Sequence, residues 1–447
     1  MGYWPHTEDD TRQMLDRLGT GSVEDLFADI PEELRQSADL ELPPGLSEME
    51  VEARLQRLAD LNLSSDRTPS FLGAGCYDHY VPAVVSSLCT RSEFVTSYTP
   101  YQPEASQGTL QVIYEFQSLL CDLTGMDVAN ASLYDGASAL AEAAFVALSV
   151  SHSPRILVPE SVHPAYRAVL DTYTHRSHIE LEPVRCRSGV IDLNHLSDLA
   201  QAPFAAAVVQ NPNFFGCLEE CAVVSRLVHE RGGRLISVFD PISLALVETP
   251  GEYDADLAVA EGQALGIGQS LGGPGLGIMT AKQDLLRRLP GRLVGATTDV
   301  NGKPGYVLTL QTREQHIRRE KATSNICTNQ GLCALAATVY LCALGPRGVR
   351  AVAELCLQKA HYTRRRLAEL AGIELPFSAP FFKEFTVSCP APAHQVNGRL
   401  REAGLLGGYP LRRDFDWLPN GLLLCVTEKR RRHELDALVS VLAELCT

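Results

Sequence analysis

Asp240, in the stretch VFDP, is the residue whose position most strongly suggests chemistry. It follows an apolar run, RLISVF at residues 234–239, that predicts a β-strand. A carboxylate at the end of such a strand can stabilise a protonated pyridine nitrogen, the arrangement that lets pyridoxal phosphate act as an electron sink. An aspartate before a proline can equally form an Asx turn that binds nothing. The position alone leaves both interpretations open.

Lysine is scarce in this sequence, and the scarcity limits the chemistry. A pyridoxal phosphate enzyme holds its cofactor as an imine on a lysine, which arginine and glutamine cannot form. Only six of the 39 Lys and Arg residues are lysines, and the first is Lys282. The stretch after Asp240 where such a lysine is expected, AVAEGQALG, holds Gln263 instead. Lys282 is interpreted as a solvated surface charge at the start of a helix.

Small residues in YDGASALAEAA, residues 134–144, precede a predicted helix. Free backbone N–H groups at a helix start can hold a phosphate, and Ser138 lies there. The alternative, which the sequence favours, is a cap in which Ser138 serves the helix itself. His79 and His163 are interpreted as hydrogen-bonded structural residues, since neither has a second ligand at metal-binding spacing. The sequence supports no metal site.

Two loops supply candidates for a channel or an interface. Amphipathic side chains in loops often line cavities or contact a neighbouring chain, and glycines allow close approach. The Tyr/Pro-rich loop TSYTPYQPEA and the turn GGPG at residues 272–275 have this composition. A tight turn between strands is the alternative for GGPG. The candidates in these loops are Tyr98, Tyr101, Gln102, Gly272 and Gly273.

Alternating strands and helices must position these residues. The apolar segments RILVP, AAAVVQNPN, RLISVFDP and DLAVAEG are separated by segments of helical periodicity. This alternation predicts an α/β fold with a mostly parallel sheet covered on both faces. Ligands of such sheets bind beyond the carboxyl ends of the strands, where Asn211, Asp240 and Gln263 lie.

Three regions are predicted along the chain. Residues 1–70 form a helical N-terminal arm, which either covers the protein's own core or wraps a partner subunit. Residues 71–330 form a large α/β domain, followed by a helical stretch at about 313–344. Residues 331–447 form a smaller α/β domain whose strands come from PFFKEFTVSCP and GLLLCVTE.

Composition excludes several classes of function. The 447 residues are 45% hydrophobic, enough for a large core, with a formal net charge of −15 and a pI near 5.3. The chain lacks the basic surface that neutralises phosphates, so nucleic acids and anionic membranes are poor partners. It shows no secretory leader and no uninterrupted apolar run of about 18 residues. With 13 scattered cysteines, it is predicted to be cytoplasmic and reduced.

Long segments in the same order along nearly the whole chain resemble the P-proteins of the glycine cleavage system, glycine dehydrogenase (decarboxylating). The segments are YTPYQPEASQGTLQ, DLTGMDVANASLYDGASALAEA, QNPNFFGCLEE, PGEYDADLAVAEGQALG, LGGPGLG and IRREKATSNICTNQGL. That family is built as one chain with two homologous halves or as two subunits. This chain resembles the first half. In the second half a lysine binds pyridoxal phosphate, and Gln263 stands about where that lysine would be.

The resemblance implies the aminotransferase-like fold type I of pyridoxal phosphate enzymes and a role in glycine decarboxylation. The complex would pass the aminomethyl group of glycine to the lipoyl arm of the H-protein. This chain would pair with subunit 2 in an α2β2 heterotetramer. The cofactor would be bound covalently by subunit 2 and not by this chain, so that Ser138, Asp240 and Gln263 would mark a vestigial site.

Segments shared strongly with the family, residues 97–107 and 317–328, are implied to line an interface or a channel. Asn325 joins the channel or interface candidates on this ground, and Asn211 and Asn213 join them from the shared segment QNPNFFGCLEE. Two alternatives stay open. One is a self-sufficient pyridoxal phosphate enzyme that uses Lys282, and the other is a non-catalytic scaffold that stabilises or regulates its partner.

Overall fold

The computed structural model describes residues 6–36 and 42–446. Residues up to Leu63 form one compact unit and residues from Ser64 onward form another. The predicted division at residues 70 and 330 stays a prediction. The helices are α1 (Glu8–Leu18), α2 (Glu32–Gln36), α3 (Glu48–Ala59), α4 (Ala83–Cys89), α5 (Ser92–Val95), α6 (Gln107–Thr124), α7 (Gly136–Leu148), α8 (Pro164–Thr174), α9 (Leu193–Leu199), α10 (Cys221–Glu230), α11 (Gln315–Arg318), α12 (Gly331–Ala368), α13 (Ala393–Glu402) and α14 (Arg432–Glu444). The strands are β1 (Val128–Ala129), β2 (Arg155–Pro159), β3 (Glu180–Val184), β4 (Cys186–Arg187), β5 (Val190–Ile191), β6 (Ala206–Asn211), β7 (Arg234–Phe239), β8 (Leu257–Glu261), β9 (Gly277–Ala281), β10 (Leu293–Thr298), β11 (Pro304–Thr309), β12 (Glu384–Ser388), β13 (Tyr409–Pro410) and β14 (Gly421–Cys425).

The first unit consists of amphipathic helices. Thr7 and Ser47 begin α1 and α3 with capping boxes, in which the hydroxyl accepts from a backbone N–H and an acidic side chain three residues on accepts in return. No side chain of α1 or α3 is buried, and Leu55 and Leu58 are more than half exposed. The apolar sides of these helices are therefore available to another surface.

The main sheet of the second unit has seven strands in the order β1-β9-β8-β7-β6-β2-β3. Neighbours from β8 to β3 are parallel, and β9 runs antiparallel to both β8 and β1. The strands β2 and β6–β9 are buried on both faces, which explains why they appear in the sequence as continuous apolar runs. The predicted mostly parallel α/β sheet is confirmed.

Successive residues of these strands pack into different cores. Ile156 and Val158 of β2 pack with α7, whereas Leu157 between them packs with α9 and α10. At the β8–β9 side of the sheet, α6 and α12 cover a third core that contains Ala258 and Phe239. The layers thus hold the carboxyl ends of β2, β6, β7 and β8 at one edge.

A small antiparallel sheet, in the order β12-β14-β13, packs with α13 and α14 near the end of the chain. Before it comes α12, which the sequence predicted to begin earlier. The stretch 313–330 is helical only in short turns, and α12 begins at Gly331 and is broken at Gly345, next to Pro346. α12 is the one helix within 6–36 and 42–446 that is long and apolar enough to cross a membrane. It contributes Tyr340 and Ala353 to the protein core, and this packing accounts for its hydropathy.

Candidate functional site at the carboxyl ends of the main sheet

Four strands of the main sheet end at a cavity of about 40 Å³. His163 follows β2, Gln210 lies in β6, Asp240 follows β7, and Glu261 ends β8. A second cavity, of about 320 Å³, shares His163 and Glu261 with the first and is walled by Gln263 and the glycine-rich residues 272–275. The structure thus brings Asp240 and Gln263 to adjoining cavities, at the edge where the strand pattern predicted a site.

Asp240 forms the turn that the sequence allowed and also an ion pair that it did not reveal. Its Oδ1 accepts hydrogen bonds from the backbone N–H groups of Ile242, at 2.9 Å, and Ser243, at 3.3 Å. Its Oδ2 lies 2.5 Å from Nζ of Lys383, and both side chains are buried. The carboxylate is therefore fully partnered by the protein itself.

Lys383 comes just before β12 and is one of the largest fully buried side chains of the chain. Its Nζ also lies 2.9 Å from Nε2 of His79 and 3.5 Å from the ring centroid of Tyr77. Burial alone would lower the pKa of the Lys383 ammonium, but the Asp240 carboxylate outweighs burial and leaves that pKa above its usual value. The amine is protonated at neutral pH and is not a nucleophile.

His79 extends this contact into a chain of buried groups. Burial lowers the pKa of His79, so its ring is neutral, and the Lys383 ammonium donates to Nε2. Nδ1 then carries the proton and donates to Oε2 of Glu428 at 2.6 Å. Burial raises the pKa of Glu428, but the hydrogen bonds from His79 and a backbone N–H lower it to about 2. The predicted structural role of His79 is confirmed.

His79, Cys356 and Glu428 are close enough together to hold a metal ion, with ligand atoms within 4.8 Å of one another. Nδ1 of His79 is already hydrogen-bonded to Glu428, and the Cys356 sulfur donates to the same carboxylate at 3.5 Å. Burial raises the pKa of the Cys356 thiol well above its ordinary value, which opposes the thiolate that a metal requires. These contacts describe a hydrogen-bonded cluster.

Both the oxygen and the nitrogen of the Gln263 side-chain amide form hydrogen bonds with a neighbouring loop. Its Oε1 accepts from the backbone N–H of Tyr77 at 2.8 Å, and its Nε2 donates to the carbonyl oxygens of Tyr77, at 3.0 Å, and Ile267, at 2.8 Å. The side chain is almost completely buried. Gln263 therefore connects the end of β8 to the loop that carries Tyr77 and His79.

The start of α7 is capped by carboxylates. Oδ1 of Asp135 accepts from the backbone N–H of Ser138 at 2.8 Å, while the Ser138 hydroxyl bonds back to the Asp135 backbone. Oε2 of Glu261 accepts from the backbone N–H of Gly136 at 3.0 Å. Capping, which the sequence favoured for Ser138, is confirmed. Two of the donors that a phosphate would use, the N–H groups of Gly136 and Ser138, are already occupied.

These residues do not fit pyridoxal phosphate. A pyridine nitrogen needs the Asp240 carboxylate, which Lys383 holds, and a phosphate needs the N–H groups at the start of α7, which Asp135 and Glu261 hold. Gln263, which stands where the resemblance places the cofactor-binding lysine, cannot form an imine.

Lys282 lies at the opposite edge of the main sheet from Asp240, after the antiparallel strand β9. Lys282 is a partly exposed surface charge that also has ionic partners. Its Nζ forms ion pairs with Asp254, at 2.7 Å, and Asp256, at 3.3 Å, and its side chain is only 29% exposed. These carboxylates surround Lys282 because the loop before β8 returns beside the end of β9.

His163 and the asparagines at the carboxyl end of β6, Asn211 and Asn213, are hydrogen-bonded within the protein. The His163 ring stacks on Tyr166 with centroids 5.0 Å apart, and its Nε2 lies 2.8 Å from the carbonyl oxygen of Ala74. Oδ1 of Asn211 accepts from the backbone N–H of Glu219. Nδ2 of Asn213 donates to Glu219 at 2.7 Å. Both asparagines are buried and shape the loop after the strand.

The remaining predicted residues are on the surface. Tyr98 is 85% exposed, and Tyr101, Gln102, Gly272, Gly273 and Asn325 are exposed as well. Tyr98 lines a third cavity, of about 320 Å³, together with Pro274, Thr328 and Asn329 at the start of α12. This cavity brings together the Tyr/Pro loop, the glycine-rich turn and the segment 317–330, which are far apart in the sequence.

Arg292 holds two of these loops together, and sequence reasoning missed it. Its guanidinium donates to the Tyr101 hydroxyl at 3.2 Å, to Oδ1 of Asn329 at 3.4 Å and to the carbonyl oxygen of Cys327. Its side chain is buried, and within 6–36 and 42–446 no carboxylate forms an ion pair with it. Lys383 was missed too, although a lysine within the apolar stretch PFFKEFTV is a visible signal for burial.

The chain is similar to known proteins along its full length. The family model for the glycine cleavage system P-protein matches residues 1–442. A probable glycine dehydrogenase (decarboxylating) subunit 1 from Carboxydothermus hydrogenoformans is 53% identical over 442 residues, covering 99% of each chain. The corresponding protein from Desulforamulus reducens is 50% identical over 445 residues and covers 100% of each chain.

Solved structures agree with this relationship. A crystal structure of glycine decarboxylase (P-protein) of the glycine cleavage system, in inhibitor-bound form, superposes with a TM-score of 0.92 at 43% identity and covers 100% of both chains. An alanine–glyoxylate aminotransferase from Nostoc, at 17% identity and a TM-score of 0.60 over 94% of this chain and 100% of its own, shares the fold alone. The predicted fold type I architecture is confirmed. The chain belongs to the glycine cleavage system P-protein family, among the proteins named glycine dehydrogenase (decarboxylating) subunit 1.

Proposed function

We propose that this chain is the subunit of a two-chain glycine dehydrogenase (decarboxylating) that lacks the cofactor-binding lysine. With subunit 2 it decarboxylates glycine and passes the aminomethyl group to the lipoyl arm of the H-protein. Pyridoxal phosphate, bound covalently by subunit 2, supplies the electron sink. The observation that carries the proposal is the Asp240–Lys383 ion pair, which fills the place of the cofactor's nitrogen in this chain.

Ser138, Asp240 and Gln263 mark a vestigial site in this proposal. All three side chains make hydrogen bonds or ion pairs within the protein. Lys282, the basis of the self-sufficient alternative, forms ion pairs with Asp254 and Asp256 at the opposite edge of the sheet. The isolated chain is therefore inactive.

The surface around Tyr98 forms the interface with subunit 2 or a wall of its substrate channel. Exposed apolar side chains concentrate near it, with Leu271 at 99% and Leu332 at 48% exposed. Tyr101, Gln102, Gly272, Gly273 and Asn325 take part through their exposed positions. Asn211 and Asn213 act indirectly, by shaping the buried loop after β6.

The assembly is an α2β2 heterotetramer that receives the lipoylated H-protein and glycine in the cytoplasm. The designation "subunit 1" of the relatives supports a second subunit. The net charge of −15 supports the absence of nucleic-acid and membrane partners. The division into residues 1–70, 71–330 and 331–447 belongs to the same proposal.

The test is reconstitution. Exchange of labelled bicarbonate into the carboxyl group of glycine is measured for the chain alone, for subunit 2 alone and for the two combined, each with pyridoxal phosphate and H-protein. Exchange is expected only when subunit 2 is present and is greatest for the pair. Exchange by the chain alone at the rate of the pair would show a self-sufficient enzyme.

A scaffold is the second candidate, because the Tyr98 surface could bind subunit 2 without lining its channel. Tyr98→Ala is expected to lower turnover of the assembled complex about 10-fold, as expected for about 1.4 kcal/mol of lost positioning. Tyr173→Ala, which removes another partly exposed tyrosine outside that cavity, is the matched control. Full activity of an assembled Tyr98→Ala complex would favour the scaffold.

A further inference from the structure

We infer that Lys383 and Glu261 are built-in counter-ions that take the places of the cofactor's pyridinium and phosphate groups. The inference rests on the proposed function for the cofactor positions at Asp240 and α7. It goes beyond that proposal because it says what replaced the cofactor and what the replacement does. The chain then folds with its old cofactor site filled by its own side chains and without any cofactor.

At the position of the cofactor's pyridine ring, the buried Asp240 carboxylate requires a cation. A buried carboxylate without a partner is strongly destabilising, and in a cofactor-bound relative of this fold a protonated ring nitrogen would meet the requirement. Here the Lys383 ammonium lies 2.5 Å from Oδ2 and 3.5 Å from the ring centroid of Tyr77. The lysine thus supplies the positive charge at the position where the ring nitrogen would bind.

At the position of the cofactor's phosphate, the free backbone N–H groups at the start of α7 require an anion. Glu261 accepts from the backbone N–H of Gly136 through Oε2, and through Oε1 from those of Gln263, at 3.0 Å, and Leu276, at 2.7 Å. Asp135 takes the N–H of Ser138. Two carboxyl groups thus accept from two of the N–H groups that a phosphate would use, and their charge repels a phosphate that approaches.

Residues close to the two counter-ions connect the small sheet to the rest of the second unit. Next to Lys383, Glu384 accepts from the backbone N–H of Ala74 at 2.7 Å and from the Tyr77 hydroxyl at 2.8 Å. Gln263, just after Glu261, holds Tyr77 from the other side. Both sides of the old site therefore contact the same loop, which carries Ala74 and Tyr77.

The first test is a double-mutant cycle on the full chain. Lys383→Met and Asp240→Asn are each expected to lower Tm by about 4 °C, because each leaves a buried charge unpaired in a chain of this size. The double variant is expected to lose less than the sum of the two. Lys303→Met, at an exposed lysine of the β10–β11 hairpin, is the control. Additive losses would overturn the pairing. If Lys383→Met does not fold, Lys383→Gln replaces it.

The second test measures pyridoxal phosphate binding to the full chain by equilibrium dialysis. The neutral variant Glu261→Gln/Lys383→Met is expected to bind at least 10-fold more tightly than the unmodified chain, because both anchor positions lose their internal ion. Equal affinity of the two would refute the counter-ion role. Failure of the proposed function would appear separately, as glycine exchange by the chain alone.

Discussion

The proposed vestigial site and the Tyr98 surface differ in how their polar groups are satisfied. At the site, Asp240, Gln263 and Glu261 are all buried or nearly so, and each makes at least two polar contacts within the protein. At the surface, Tyr98 is 85% exposed, and the buried guanidinium of Arg292 has hydrogen bonds but no carboxylate partner among the described residues.

The polar groups of the site are satisfied within the chain, whereas the Tyr98 surface leaves groups that a partner is proposed to cover. The site is held by its own ion pairs, so changes there act mainly on the stability of the chain. The surface leaves apolar side chains exposed and a positive charge without a counter-ion, so under the proposed function changes there are expected to act mainly on assembly and turnover. Comparing like substitutions in the two regions makes the distinction measurable.

The largest difference in the free energy of unfolding is expected between alanine substitutions of two glutamines. Gln263→Ala removes three buried hydrogen bonds and leaves the backbone of Tyr77 unpaired, so it should lower the free energy of unfolding by about 3 kcal/mol. Gln102→Ala, at an exposed position of the Tyr/Pro loop, should change it by less than about 0.5 kcal/mol. Denaturant unfolding of both variants checks the pair. Similar losses would mean that the two regions do not differ as described.

A pH effect is expected where the two regions meet. Glu142 on α7 is buried and hydrogen-bonded to Ser324, and burial raises its pKa from 4.5 to about 7. Since the folded pKa lies above the unfolded one, the stabilising contribution is complete below about pH 4.5 and is lost as pH rises through 7. Glu142→Gln should therefore be more stable than the unmodified chain at pH 8, by roughly 2–3 kcal/mol, and similar at pH 4.5.

Thermal unfolding at both pH values measures this effect. The chain contains another buried carboxyl group with a pKa of about 7, Glu219, which Glu142→Gln leaves in place. The difference between the variant and the unmodified chain therefore isolates Glu142. A variant that is equally stable, relative to the unmodified chain, at both pH values would contradict the assignment.

The smallest difference in stability is expected between alanine substitutions of two glycines. A Cβ at Gly136 would lie 2.1 Å from the Tyr166 hydroxyl and 2.7 Å from the backbone nitrogen of Glu261. Gly136→Ala should therefore cost about 2 kcal/mol by overpacking. At Gly273 the backbone is extended, and no described atom beyond its chain neighbours lies within 4 Å of a Cβ, so Gly273→Ala should cost almost nothing. A destabilised Gly273→Ala, measured by Tm, would show that the turn is already packed in the isolated chain.

Local sequence patterns predicted the main sheet and the places of Asp240 and Gln263, because buried parallel strands appear as apolar runs and their ends are recognisable. The patterns did not predict the partner of Asp240. Lys383 reaches it from the position just before β12 of a separate small sheet, and no local signal encodes a contact between such distant segments. Arg292 was missed for the same reason, since its partners come from two loops on either side of it in the sequence. The lysine in PFFKEFTV signalled burial but not its partner.

The most direct test of the vestigial site is borohydride trapping of pyridoxal phosphate, with the labelled peptide identified by mass. The chain alone and its complex with subunit 2 are treated in parallel. The label is expected on subunit 2 only, because Gln263 cannot form an imine and Lys383 is protonated beside Asp240. A label on Lys282 or Lys383 of this chain would show that it holds the cofactor itself and would contradict the central claim.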